Sequence, residues 1–198
     1  LYYPDGQILD EVYVYGSFLQ SKMFQAGVTC TDCHDAHSLK LKLEGDLVCA
    51  QCHSFDRYAA EAHHHHQPDT PGASCVGCHM PQRVYMVNDE RADHSMRVPR
   101  PDLSLKLDTP NACSQCHQDK PVQWAADAAN QWYGDDNREV PHFGEALQAG
   151  RTAAPDAGNQ LLSLAIDRGQ PGIARATALE LLRDYPEQSH LTALPNLL

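Results

Sequence analysis

Every cysteine in the chain falls in a C-x-x-C pair: Cys30 and Cys33, Cys49 and Cys52, Cys75 and Cys78, Cys113 and Cys116. Thiols at that spacing serve disulfides, zinc ribbons or thioether attachment of a porphyrin. Zinc has some support, because fifteen residues lie between Cys33 and Cys49, a spacing found in paired-cysteine ribbons. The next residue in each pair decides. His34, His53, His79 and His117 complete CTDCH, CAQCH, CVGCH and CSQCH. With 12 His in 198 residues, four such coincidences arise by chance about once in 10⁵, and C-x-x-C-H is the attachment signature of c-type haem.

The chemistry requires that spacing. Two thiols add to the two vinyl groups of one porphyrin, and two intervening residues let both sulfurs reach it from one turn of chain. The adjacent imidazole then lies under the iron as the proximal axial ligand. Four motifs predict four c-type haems. Thioether attachment takes place on the outer side of the bacterial cytoplasmic membrane, so the cysteine usage predicts an exported protein, periplasmic or extracellular.

Four irons call for four more ligands if all are six-coordinate. Beyond the proximal four, the chain offers His37, His63, His64, His65, His66, His94, His142 and His190, with Met23, Met80, Met86 and Met96 as a second pool. Bis-His irons lie at lower potential than Met/His irons. His37, three residues after His34, is too close to return to the same iron but could reach a neighbouring haem. Four adjacent histidines cannot all point one way, so His63 and His66 are the distal candidates in that run. His94, in a polar loop with prolines after it, is a further distal candidate; its ordinary reading is a histidine hydrogen-bonded to Asp93. His142, after Pro141, is a reserve candidate. Met80 and Met96 read as packing residues.

The elements that must position these groups are short. Aromatic residues make up 7% of the chain and hydrophobic residues 42%, with a mean hydropathy of −0.50. No apolar run is long enough for a membrane span. Lys+Arg of 15 against Asp+Glu of 26 gives a net charge of −11, and with no basic run this argues against nucleic acid as the main partner. All four motifs lie within residues 30–117, about 22 residues per haem. That is too little protein to wrap each haem separately, so the haems must pack on one another.

The pattern predicts a mostly α chain with extensive loops: a multihaem core over 1–118, a helical cap over 119–154 and a helical tail over 155–198. A strand is predicted at Val12–Tyr15, then a short helix carrying Phe18, Leu19, Met23 and Phe24 and ending at Gly27. The segments between motifs read as loops and short helices. Asp119 and Pro121 begin a helix that ends at Gly134, with Trp124, Ala128 and Trp132 on one face, either a core stripe or a lid over the last haem. Another helix is predicted from Phe143 to Arg151. Asp156 caps one tail helix, Pro171 opens a second, Pro186 stops it, and a third begins near Gln188. The tail reads as one and a half α-solenoid units. A chain that starts at LYYPDG and stops inside a repeat reads as a fragment of a longer protein.

The stretches YVYGSFLQSKMFQAGVTCTDCHDAHS, the HHHH run before SCVGCHMP, DHSMRVPRPDLS and TPNACSQCHQDKPVQWAADAANQWYG resemble a family of exported multihaem cytochromes c with C-terminal HEAT- or TPR-like repeats. More distantly, GVTCTDCH and CVGCHMP look like segments of cytochrome c nitrite reductase and hydroxylamine oxidoreductase relatives. The resemblance implies bis-His electron-transfer haems, with distal ligands at positions matching His37, the His63–His66 run and His94. Some relatives carry a His where Met23 stands. Related small cytochromes polymerise into extracellular filaments, in which one subunit lends a His to the next.

The expected function is electron transfer, as a carrier, conduit or filament subunit, rather than an enzyme. Its expected partners are other redox proteins or further copies of the chain. The alternative is a reductase of a small nitrogen or sulfur species, which needs one open iron. Nitrite reductases often mark that haem with Lys in place of the motif His, and here all four motifs end in His. A third reading is a scaffold whose tail docks a partner.

Overall fold

The computed structural model describes residues 1–10, 13–134 and 141–186. The chain is mostly helical with extensive loops, as the sequence predicts. The N-terminal segment is closed by a bridge between Tyr2 and Ile8 and leads into α1 (Val14–Phe18) and α2 (Lys22–Gln25). Short turns of helix follow: α3 (Cys30–Cys33), α4 (Leu47–Ala50), α5 (Phe55–Tyr58), α6 (Glu61–His64) and α7 (Cys75–His79). A hairpin of β1 (Gln82–Tyr85) and β2 (Asp89–Ala92) precedes α8 (Pro101–Leu107) and α9 (Cys113–Cys116). The longer helices come last: α10 (Val122–Tyr133), α11 (Phe143–Arg151), α12 (Ala157–Ile166) and α13 (Gly172–Leu182). No helix among the described residues is long and apolar enough to cross a membrane.

Two local expectations are corrected. The strand predicted at Val12–Tyr15 is helix from Val14 onward. Its β-forming residues are overridden by packing. A side chain at Gly16 would meet the Tyr2 hydroxyl at 2.1 Å, and the Ser17 hydroxyl donates to the buried Asp93 carboxylate. The β1–β2 hairpin stands where loops and short helices were expected. It pairs antiparallel from Gln82 with Ala92 to Tyr85 with Asp89. Its turn holds Met86 and Val87 at positive φ (49° and 77°) without the glycine that usually announces such a turn. The helix predicted near Gln188 lies outside the described residues.

The main apolar core is at the C-terminal end. Leu147 of α11, Leu161, Leu164 and Ala165 of α12, and Ala174, Ala178 and Leu182 of α13 form one buried cluster. The Tyr185 hydroxyl donates to the Gly150 carbonyl at 2.6 Å and closes it. The region of the C-x-x-C-H motifs is different. Leu39, Leu41, Leu43, Leu47 and Phe55 are all exposed, Leu39 to 74%.

Leu161 is fully buried at the centre of the C-terminal cluster. Leu161→Ala should destabilise the protein by about 2–5 kcal/mol, read by denaturant unfolding of the purified protein. A midpoint equal to wild type would contradict this packing.

Candidate functional site

Each C-x-x-C segment forms one turn, which brings residues i and i+3 to a common face. The turn closes on the following histidine: the His34 N–H donates to the Cys30 carbonyl at 2.9 Å, His53 to Cys49 at 3.0 Å and His117 to Cys113 at 3.0 Å. Polar caps fix where the turns start. Asp32 accepts from the Thr29 N–H at 2.7 Å and hydroxyl at 2.9 Å. Asp46, at the start of α4, accepts from the Cys75 N–H at 3.1 Å and the Ser74 hydroxyl at 3.3 Å, so the second motif's carboxylate caps the third motif's helix. The Asn111 side-chain carbonyl accepts from the Ser114 N–H at 3.0 Å.

No disulfide joins any of the eight cysteines among the described residues. Burial pushes the Cys33 thiol up, and Cys52 of the next motif adds to the effect after Asp32. Cys75 is pushed up to about 12 by burial, then by Asp46 and by Cys49. Cys78 is raised by burial and by Cys113 and Cys116. The first motif therefore neighbours the second, the second the third, and the third the fourth. Among the described residues no three His, Cys, Asp or Glu side chains converge as a bare metal ion would need.

The histidines do meet, in twos. The rings of His34 and His94 face each other with centroids 6.3 Å apart and planes 27° from parallel. His63 faces His79 at 6.2 Å and 9°, and His66 faces His117 at 6.1 Å and 37°. Each pair joins one motif histidine to one from elsewhere, and all six residues are half-buried. Two imidazoles on opposite sides of one metal, with bonds of about 2 Å and about 1 Å more from each nitrogen to its ring centre, have centres about 6 Å apart.

The tautomers are held as well. Nδ1 of His34 donates to the Leu39 carbonyl at 2.9 Å, His79 to Arg97 at 2.6 Å, His94 to Ala92 at 2.9 Å and His66 to His64 at 2.5 Å. A carbonyl only accepts, so in these four rings Nδ1 carries the proton and Nε2 keeps its lone pair. That is the arrangement of a metal-ligating histidine. Burial lowers the His63 pKa, and His79 and the neighbouring histidines lower it further, which favours the neutral ring. Gly72 lets the chain pass beside His66, whose ring a side chain there would meet at 2.3 Å.

The remaining candidates are placed differently. His53 is exposed, with Tyr58 edge-on at 5.8 Å. His37 is exposed in a turn whose His37 and Ser38 N–H groups both donate to Asp35. Neither of these two faces another imidazole among the described residues. His64 uses both nitrogens locally, Nε2 on the Ala59 carbonyl and Nδ1 on the His66 N–H. His65 stacks on Trp132 at 4.3 Å. His142 caps α11, its Nδ1 accepting from the Gly144 N–H at 3.1 Å, and burial drives its pKa down to about 4. His190 lies outside the described residues.

Sequence reasoning missed what holds His94. Asp93 beside it is buried and accepts from the Ser17 hydroxyl and, at 2.9 Å, from the Ser95 N–H, with Arg97 3.7 Å away. Arg97 in turn donates to the Asp5 carbonyl at 2.7 Å, and its N–H to the His79 carbonyl at 3.0 Å. One short segment thus carries His94 and also supports the third motif. The sequence pairs Asp93 with His94 as a hydrogen bond, whereas Asp93 bonds Ser17 and Ser95 and the His94 ring bonds the Ala92 carbonyl.

No protein-family model matches the chain, and no curated protein matches it. Among solved structures, the chain is similar to the crystal structure of the outer cell wall cytochrome OcwA, at 17% identity and a TM-score of 0.47. The match covers 92% of this chain and 52% of that one, so the chain spans about half its length.

Burial raises the Asp93 carboxyl, but Arg97 and the hydrogen bonds from Ser17 and Ser95 outweigh it and hold the group below the usual carboxylate range. Stability from Asp93 is therefore present above its unfolded value of about 3.9 and is lost as pH falls through its lower folded value. Asp93→Asn should flatten the pH dependence of Tm below about pH 5, measured by thermal melts across acid pH. A slope equal to wild type would contradict the assignment.

Proposed function

We propose that the chain transfers electrons through four covalently bound, closely packed c-type haems, as a carrier or conduit. The observation that carries this reading is the set of three opposed imidazole pairs, each joining a C-x-x-C-H histidine to a remote one. The residues fit the group: paired thiols on a single turn, an imidazole beside them, and a second imidazole at the separation two axial ligands need. When bound, the porphyrin iron supplies reversible one-electron exchange.

The chain's own residues do the rest. Cys30 and Cys33, Cys49 and Cys52, Cys75 and Cys78, and Cys113 and Cys116 provide the tethers. His34, His53, His79 and His117 are the proximal ligands, and His94, His63 and His66 the distal ligands to the first, third and fourth sites. Backbone carbonyls fix the tautomers, and the exposed leucines and Phe55 around the first two motifs supply apolar cover that keeps water back. Two imidazoles per iron set potentials toward the low end of the c-type range.

For the second site we propose His37. His53 is the one motif histidine without an opposed ring among the described residues, and His37 lies on the first motif, whose Cys33 neighbours Cys52. His142 is held in the other tautomer as a helix cap. The same observation favours one second reading: a reductase of a small nitrogen or sulfur species with an open iron at His53. Under either reading the protein is exported, and other redox proteins or further copies of the chain, as in a filament, are the partners proposed.

Low-temperature EPR of the oxidised holoprotein, with haem quantified, tests this. Four haems per chain, all low-spin, are expected. One high-spin iron per chain would move the assignment to the reductase reading, and absence of covalent haem would contradict both. His94→Ala and His37→Ala should each convert one haem in four to high spin. A wild-type spectrum in either variant would remove that residue from the ligand set.

A further inference from the structure

The His63–His66 run faces two motif histidines at once. His63 faces His79 and His66 faces His117, although the two are only three residues apart. The division depends on His65, which ends α6 in the left-handed conformation at φ 56° and turns the chain between them. Positive φ is uncommon outside glycine, and Asn, Asp and His are the other types most often found there. The His65 N–H closes α6 on the Glu61 carbonyl at 2.7 Å, while its ring Nε2 is buried with no hydrogen-bond partner among the described residues.

What holds His65 is the end of α10. Its ring lies flat on Trp132, with centroids 4.3 Å apart and planes 10° from parallel, and Tyr133 meets it edge-on at 5.7 Å. The Tyr133 hydroxyl donates to the His63 carbonyl. Two turns earlier on the same helix, Trp124 packs against His117 at 4.8 Å. The opposite side of α10 is anchored, with Ala125, Ala126 and Ala129 buried and α8 packed alongside. Eight residues of helix are a stiff spacer of about 12 Å. One end touches the motif histidine of the fourth pair, and the other end touches the segment that carries its partner.

We propose that α10 is a brace for the third and fourth sites, and that Trp132, Tyr133 and His65 are positioning residues that set the gap in both imidazole pairs. This rests on the haem reading above. Among the described residues the first pair, His34 and His94, shares no ring contact or hydrogen bond with this clamp, and it serves as an internal control.

The test uses the holoprotein with covalent haem quantified. Trp132→Ala removes the stack. His65→Asn keeps a residue that tolerates the left-handed turn but removes the ring. Trp132→Phe keeps an aromatic face. Trp132→Ala and His65→Asn should each give a high-spin EPR signal from as many as two of the four haems, with the remaining low-spin signals unchanged. Trp132→Phe should return the signal close to wild type. Low-spin spectra in both disruptive variants, with four haems attached, would overturn the brace, as would equal disturbance of all four sites. If Trp132→Ala does not fold, His65→Asn decides alone. Failure of wild type to carry haem would instead count against the electron-transfer reading.

Discussion

The structure turns on a gap of about 6 Å held open between facing imidazoles. Six histidines from distant parts of the sequence come together in twos, and where Nδ1 is bonded to a carbonyl Nε2 keeps its lone pair. Packed aromatic rings commonly lie about 4.5–7 Å apart, so what distinguishes these pairs is that each contains a motif histidine and a remote one. Near the first two motifs, Leu39, Leu41, Leu43, Leu47 and Phe55 are exposed.

The rest of the fold serves that separation. The C-terminal helices form an ordinary apolar core around Leu161, away from the motifs. Between that core and the motif region runs a polar framework. Gln7 donates to Asp5 at 2.7 Å and to the Pro110 carbonyl at 2.6 Å, and Arg97 donates to Asp5. Asp93 ties α1 to the loop that carries His94. A region short of apolar side chains is thus fixed by buried hydrogen bonds, whose cost when broken exceeds their net worth when made.

Some of this was legible in the residues. C-x-x-C-H declares its own chemistry because tether and ligand are adjacent in sequence. The helices at Val122–Tyr133 and Phe143–Arg151 follow from Pro121, Gly134 and their apolar spacing. The pairing of His63 with His79 and of His66 with His117 was not legible, because it depends on a left-handed His65 and on an aromatic clamp about 67 residues further along the chain. The helix at Val14–Phe18 was hidden for a similar reason. Its local sequence favours strand, and only the contacts of Gly16 and Ser17 with remote side chains reverse that.

The most direct test of the central claim is anomalous X-ray diffraction from crystals of the holoprotein, recorded on either side of the iron absorption edge. The account predicts an iron peak between His34 and His94, another between His63 and His79, and another between His66 and His117, with a fourth beside His53. Iron absent from those gaps, or a zinc signal among the cysteine sulfurs in its place, would contradict it.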